Sequence, residues 1–127
     1  MGDGVNSQTL LLRQINPNWI RDGRVTSQAF RPTPKDDRRL SVSDGDVVSP
    51  QESWKKFTKN GLASQGVLAV TVAESKSIGL VVSSDPLPEQ PEHAVIDFTN
   101  IVSKNQIEQV SKILVFAATK RGWLYRP

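Results

Sequence analysis

The segment Gly66–Val72, with the sequence GVLAVTV, places the strongest constraint on how this chain can fold. After its glycine, every residue is apolar or β-branched, which favours a β-strand over a helix. Because it lacks the usual alternation of apolar and polar residues, we expect this strand to be buried on both faces, near the middle of a sheet. The rest of the chain must supply further strands and the helices that cover them.

A capping signal places one helix before this strand. Ser49–Glu52 matches a capping box with proline at the first helical position, and predicts a helix over Pro50–Asn60 that stops at Gly61. Amphipathic spacing turns Trp54 and Phe57 of this helix inward. The lysines expected to face mostly outward are Lys55, Lys56 and Lys59.

Similar signals predict helices after the strand. Thr71–Glu74 also matches a capping box and predicts a short helix that ends at Gly79. Ser103–Gln106 predicts a long helix over Lys104–Arg121, in which apolar residues recur at helical spacing up to Gly122.

The other predicted strands are short. They are Gln8–Arg13, Leu40–Ser43, Leu80–Ser83, Ala94–Phe98 and Trp123–Tyr125. With 127 residues, the chain has the length of one domain, since domains most often run to roughly 100–150 residues. We therefore expect a single α+β domain over residues 7–127, after a flexible leader at residues 1–6. Its sheet is expected to be mixed or mainly antiparallel and packed by two main helices.

The segment from Arg13 to Val42 is rich in proline, polar and basic residues and has little amphipathic periodicity. Such a composition suits a ligand site, a partner contact or a long surface loop better than it suits a core. Turn residues are followed by pieces that we expect to be extended, at Arg24–Ser27 and Ala29–Arg31. The turns themselves are Asn16–Asn18 and Asp22–Gly23, and the expected apolar anchors of the segment are Trp19 and Phe30.

Composition excludes several functional classes. The chain contains no cysteine, which rules out thiolate chemistry and disulfides and suits a reducing compartment such as the cytoplasm. It has one histidine and no calcium-loop spacing, so we predict no metal site. No dinucleotide, P-loop or GxSxG signature occurs, so no cofactor is expected. No apolar run approaches the roughly 20 residues that span a bilayer, so we expect no membrane contact.

Basic residues exceed acidic ones by a small margin. Sixteen Lys and Arg against thirteen Asp and Glu give a net charge of +3 and a pI near 9.5, a weak preference for anionic partners. Most of the excess basic residues lie in two clusters. If the fold brings the clusters together, they form a face that attracts anions; if it does not, they increase solubility. The clusters are Arg21, Arg24, Arg31, Lys35, Arg38 and Arg39, and then Lys120, Arg121 and Arg126.

Candidate binding residues come from strand ends and from the irregular segment, because function concentrates in loops on rigid supports. We predict a ligand site where Arg13, Ser27, Gln28, Arg31 and His93 converge. If the protein is an enzyme, His93 is the expected general acid or base and Arg13 its catalytic partner.

The pairing of His93 is constrained by strand geometry. Asp97 lies on the same predicted strand but about 13 Å away by strand rise, which excludes that pair. In a functional role, His93 would instead pair with Arg13, Ser27, Ser41 or Asp36. A protein partner would contact an exposed patch of the polar segment formed by Trp19, Phe30 and Lys35.

The pattern GRVTSQAFRPTPKD…LSV, together with the closing RGWLYRP, resembles a family of small uncharacterised bacterial proteins. This resemblance spans most of the chain and implies no particular activity. The chain also resembles ADP-ribosyltransferase-type domains, in which an arginine at the end of an early strand precedes a serine-bearing strand. In this resemblance, Arg13 and the Thr26–Ser27 pair take those places. The Glu-x-Glu element of those domains is absent, and Glu92, His93 or Asp97 would have to substitute for it.

These observations favour a non-enzymatic cytosolic protein that binds a ligand or a protein partner, as an accessory component of a bacterial multi-protein system. One alternative is a small enzyme that acts on a nucleotide-like anion, with Arg13 and Arg31 as charge clamps and His93 as acid or base. Another alternative is a nucleic-acid-binding protein, because basic clusters and aromatic residues occur together.

Overall fold

The computed structural model describes residues 6–33 and 37–127. They form a single α+β domain with a five-stranded antiparallel sheet, a two-stranded ribbon and three α-helices, which confirms the predicted fold class. The strands are β1 (Leu10–Gln14), β2 (Ile20–Arg21), β3 (Arg24–Val25), β4 (Arg39–Asp44), β5 (Val67–Thr71), β6 (Val81–Ser84) and β7 (His93–Asp97). The helices are α1 (Pro50–Lys59), α2 (Val72–Lys76) and α3 (Lys104–Arg121), and 3-10 turns span Pro17–Trp19 and Ser27–Phe30. Except for Asn6, the predicted leader lies outside the described residues.

The strands of the main sheet follow the order β5-β1-β4-β7-β6, and each neighbouring pair is antiparallel. Because side chains alternate along a strand, the sheet has two different faces. On one of them, here called the α3 face, Leu11 and Ile96 share a core with Leu114 of α3. On the other, the α1 face, Leu12 packs in a smaller cluster with Trp54 of α1.

The α1 face becomes polar toward β6. On β4, Ser41 and Ser43 alternate with Val42, which belongs to the core of the α3 face. On β7, His93 and Asp97 lie on the α1 face by the same alternation. Helix α1 packs against β1 and β5, so this polar half of the sheet lies beside the helix and not beneath it.

The position of β5 differs from the prediction, because this strand lies at an edge of the sheet and not near its middle. All five of its residues are nevertheless buried. The C-terminal segment covers the edge, since the Val67 N–H donates to the Tyr125 carbonyl and the Leu124 N–H donates to the Val67 carbonyl, both at 2.9 Å. Gly66 has a φ of +150°, and a Cβ there would lie 2.5 Å from the Tyr125 carbonyl oxygen. The end of the chain thus takes the place of another strand.

The predicted helices are confirmed, with their caps in place. Ser49 Oγ accepts from the Glu52 N–H at 3.1 Å, and Ser103 Oγ accepts from the Gln106 N–H at 3.2 Å. Thr71 begins α2 with a reciprocal capping box. Within residues 6–33 and 37–127, no helix is long and apolar enough to cross a membrane.

One lysine of α1 makes an ion pair that the sequence did not predict. Lys56 Nζ contacts the two carboxylate oxygens of Glu92 at 3.0 and 2.9 Å, and the Glu92 side chain is only 6% exposed. A carboxylate this buried needs a paired cation to offset its lost hydration. The pair attaches α1 to the chain that leads into β7.

The polar segment is less extended than predicted. Asp22 and Gly23 have positive φ and make the expected reversal, which pairs β2 with β3. The prediction that Ala29–Arg31 is extended is wrong, because a 3-10 turn occupies Ser27–Phe30. Ala29 and Phe30 are both 0% exposed, so the chain curls here to bring an apolar pair into the core of the α3 face.

Replacing Phe30 by alanine should lower the free energy of unfolding by roughly 3–5 kcal/mol, because a fully buried ring leaves a cavity that the sheet and α3 cannot fill. Urea denaturation followed by circular dichroism measures this loss. Phe116→Ala is the matched control, since Phe116 is 68% exposed on α3. Equal losses in the two variants would contradict the assignment of Phe30 to the core.

Candidate functional site

A groove of about 490 Å³ opens between the polar segment and the first turn of α3. We call it the basic groove. Its lining residues are Arg13, Trp19, Gln28, Arg31, Pro32, Thr33, Arg38, Lys104 and Ile107. Four of these residues are cationic, and none of the described lining residues is Asp, Glu or His. The groove therefore joins part of the basic segment to α3.

Arg13 is held in place at the base of this arrangement by its neighbours. Its Nε donates to the Ala29 carbonyl at 2.8 Å, and its Nη1 donates to the Ser41 carbonyl at 2.9 Å. Its guanidinium carbon lies 5.0 Å from the centre of the Trp19 ring, within cation–π range. These contacts fix the orientation of the Arg13 guanidinium where it lines the groove.

Arg31 and Ser27 are both attached to Glu108 of α3. Ser27 Oγ donates to Glu108 Oε2 at 2.6 Å, and Arg31 Nη1 forms an ion pair with Oε1 of the same carboxylate. The Ser27 hydroxyl, followed by the charges of Arg31 and Lys112, holds the pKa of Glu108 below its usual range. Ser27 itself is not among the lining residues. Its hydrogen bond to Glu108 attaches the 3-10 turn to α3.

Arg38 and Lys104 complete the cationic lining, and the sequence-based site omitted both of them. Arg38 adopts a positive φ of 62° and donates from Nη1 to the Ile101 carbonyl at 3.2 Å. Lys104 is exposed in the first turn of α3. Arg38 belongs to the first basic cluster in the sequence. Lys104 is distant from that cluster along the chain, and only the packing of α3 brings it to the groove.

His93 lies outside the groove. Arg13, Gln28 and Arg31 line the groove together, whereas His93 is on the α1 face, across the sheet. Of the pairings considered for His93, the one with Ser41 is present, with Nε2 at 3.2 Å from Ser41 Oγ. Arg13 and His93 thus contact the same residue from opposite faces and do not form one cleft.

Of the three predicted partner-contact residues, the two that the structure describes do not form an exposed patch. Phe30 is 0% exposed, so it is unavailable to a partner because the core requires its ring. Trp19 is half-buried and lines the basic groove. Lys35 lies outside the described residues.

The residues expected from the ADP-ribosyltransferase resemblance are dispersed. Ser27 lies in a 3-10 turn and not on a strand. Glu92 is paired with Lys56, and Asp97 lies 3.8 Å from the guanidinium of Arg39. Neither carboxylate is among the residues that line the groove.

The second basic cluster, at the C-terminus, is occupied by structural contacts. Arg121 Nη2 lies 2.9 Å from Glu74 Oε2, and Arg126 lies 4.5 Å above the ring of Trp123. Burial acts to raise the pKa of Glu74, but hydrogen bonds from Arg121 and Thr71 and the charge of Arg121 outweigh it and hold that pKa below its usual range. This cluster therefore anchors α3 and the chain end.

A second cavity, of about 580 Å³, lies between α1 and the loop before β7 and is more open to solvent. Its lining includes two lysines, of which Lys56 is paired with Glu92, and one carboxylate, that of Glu89; the second lysine is Lys59. The basic groove is therefore the stronger candidate for an anion site.

No protein-family model, no curated protein and no solved structure matches this chain. Among the described residues there is no group of three or more potential His, Asp or Glu metal ligands. The assignment of the site therefore rests on its own geometry.

Replacing Ser27 by alanine should raise the pKa of Glu108 toward its ordinary value, because the hydrogen bond that favours the carboxylate is removed. A group with a lowered folded pKa contributes stability above its ordinary pKa and loses that contribution as the pH falls through the folded value. In the variant, this loss should occur at higher pH. A ¹³C NMR titration of the side-chain carboxyl measures the shift, and Ser43→Ala, on the other sheet face, should leave it unchanged. An unaltered Glu108 titration in Ser27→Ala would show that the hydroxyl does not act on this carboxylate.

Proposed function

We propose that this protein is a ligand-binding protein that takes a small phosphate-bearing anion in the basic groove. The observation that carries the proposal is the set of four cationic side chains around one concavity whose described lining includes no carboxylate. Glu108 balances Arg31, and Arg38 and Lys104 add further positive charge to the lining. An anion that enters would gain charge-assisted hydrogen bonds, which are the stronger kind.

The shape and the walls of the groove favour a nucleotide-like ligand. Its volume of about 490 Å³ falls within the range of small-molecule sites, roughly 300–1,000 Å³. Trp19, Pro32 and Ile107 supply apolar surface beside the cations. A ligand with a compact anionic group and a flat ring system would use both kinds of surface.

Binding is favoured over catalysis at this groove. Its described lining contains no His, Asp or Glu to act as general acid or base, and His93 lies across the sheet. The groove therefore does not offer the acid and base residues that an enzyme acting on a nucleotide-like anion would use.

The proposed setting is the bacterial cytoplasm. A chain without cysteine suits a reducing compartment, and the GRVTSQAFRPTPKD pattern resembles small bacterial proteins. In that setting, the protein would act as a ligand-binding accessory component of a larger assembly.

Charge reversal in the groove should weaken binding of ADP or pyrophosphate by roughly tenfold or more, because each charge-assisted hydrogen bond contributes about 1.5–3 kcal/mol. The variants are Arg38→Glu and Lys104→Glu, and isothermal titration calorimetry at fixed ionic strength measures their dissociation constants. Lys55→Glu is the matched control, because it makes the same charge change at an exposed position of α1, on the other face of the sheet.

The outcomes separate the competing functions. Equal weakening by Lys55→Glu would mean that net charge, and not the groove, attracts the anion. Absence of binding at millimolar ADP and pyrophosphate would overturn the proposal. Tighter binding of a single-stranded oligonucleotide, with a steep dependence on salt, would favour the nucleic-acid alternative instead.

A further inference from the structure

The polar half of the α1 face holds a hydrogen-bonded chain of Ser41, His93 and Asp85. These residues come from adjacent parts of the sheet: Ser41 from β4, His93 from the start of β7, and Asp85 from the residue after β6. The Asp85 N–H donates to the His93 carbonyl at 2.9 Å, which continues the β6–β7 ladder by one position. The rigid sheet therefore fixes the spacing of the three side chains.

The contacts of the imidazole ring determine which nitrogen carries the proton. His93 Nδ1 lies 2.9 Å from the Asp85 carbonyl oxygen and 3.1 Å from Asp85 Oδ2. Both partners are acceptors, so Nδ1 carries the hydrogen in the neutral ring. The lone pair of Nε2 then points to Ser41 Oγ, at 3.2 Å. This is the order of contacts that lets a histidine accept a proton from a serine hydroxyl.

We propose that Ser41 is a nucleophile that cleaves carboxylic esters, with His93 as its general base and Asp85 as the residue that orients the ring. Ser41 Oγ would form a bond to the ester carbonyl carbon, and its proton would pass to His93 Nε2. The carbon–oxygen bond to the alcohol would then break, and the alkoxide would leave with the proton from His93. Water, deprotonated by His93 in the same way, would hydrolyse the acyl-serine and release the acid and free Ser41.

The surroundings of Ser41 suit this role. Ser41 is exposed, so a substrate can reach its hydroxyl, whereas the His93 side chain is only 15% exposed and is held by its partners. Val95, directly opposite Ser41 on β7, is 7% exposed and provides an apolar floor. Arg39 lies on the same face two residues before Ser41, about 7 Å along the strand. Its side chain is 60% exposed, with Nε 3.8 Å from Asp97 Oδ2, and it is the candidate to stabilise the oxyanion.

This inference does not rest on the proposed anion site. The ester-cleaving chain lies on the α1 face, whereas the basic groove lies on the α3 face, and the two use different side chains. Because Ser41 is exposed, the expected substrates are esters with a small and accessible acyl group, such as acetyl or another short-chain group.

In a first experiment, the full chain is treated with a fluorophosphonate probe, and peptide mass spectrometry locates the labelled residue. In a second experiment, the hydrolysis of p-nitrophenyl acetate is measured. We expect labelling at Ser41 in the wild type. We expect hydrolysis to fall by roughly a hundredfold in Ser41→Ala and in His93→Gln, since a positioned general base contributes about 10²–10⁴ in rate. Asp85→Asn should give a smaller loss, because the Asp85 backbone carbonyl still accepts from Nδ1 and only the carboxylate charge beside the ring is removed.

Ser43→Ala is the matched control, since Ser43 lies on the same strand and face and directly opposite His93 in the register. It should retain wild-type labelling and hydrolysis, and circular dichroism should show that all variants remain folded. Absence of a label at Ser41, or equal hydrolysis in the wild type and Ser41→Ala, would overturn the proposal. Hydrolysis that persists in Ser41→Ala but is lost in His93→Gln would also overturn it, by making the imidazole itself the nucleophile.

Discussion

Arg13 makes the interaction on which the organisation of the domain depends. It extends from β1, and its guanidinium is bonded to the carbonyls of Ala29 and Ser41 and covered by the ring of Trp19. These contacts join a central strand, the irregular polar segment and β4, which are distant in sequence. They act together with the burial of Ala29 and Phe30 in the core to fix a segment that has few apolar residues. The side chain that organises the segment also lines the groove beside it.

The sequence predicted the elements of the fold better than their arrangement. Capping residues such as Ser49 and Ser103 act locally, through hydrogen bonds within one turn, so helix ends could be predicted without knowledge of the tertiary structure. The position of β5 in the sheet could not be predicted in this way. The apolar sequence of Val67–Thr71 indicates that both faces of the strand are covered, but it does not indicate what covers them. Here the chain end pairs with the strand edge at Val67, and only a faint strand signal near Tyr125 indicated that segment.

Of the predicted site residues, the structure brings together those that are close along the chain. Gln28 lies within the 3-10 turn, Arg31 directly follows it, and both line one groove with Arg13. His93 was assigned to the same cleft on its chemical type, but strand alternation places it across the sheet. Its Asp85 partner depends on the β6–β7 register, which the proline-rich loop between these strands did not reveal. Long-range register is the information that a single sequence does not contain.

The two edges of the main sheet differ in a way that limits how this molecule can associate with others. At the outer edge of β5, the backbone groups of Val67 are bonded to Leu124 and Tyr125, and the Ala69 carbonyl accepts from Arg121 Nη1. At the opposite edge, β6 has four residues and pairs with β7 alone among the described strands. Extension of the sheet by a strand from another molecule is therefore confined to the β6 side, where Pro86 stops the ladder after a few residues. A short edge of this kind favours brief, reversible strand exchange over the growth of long intermolecular sheets.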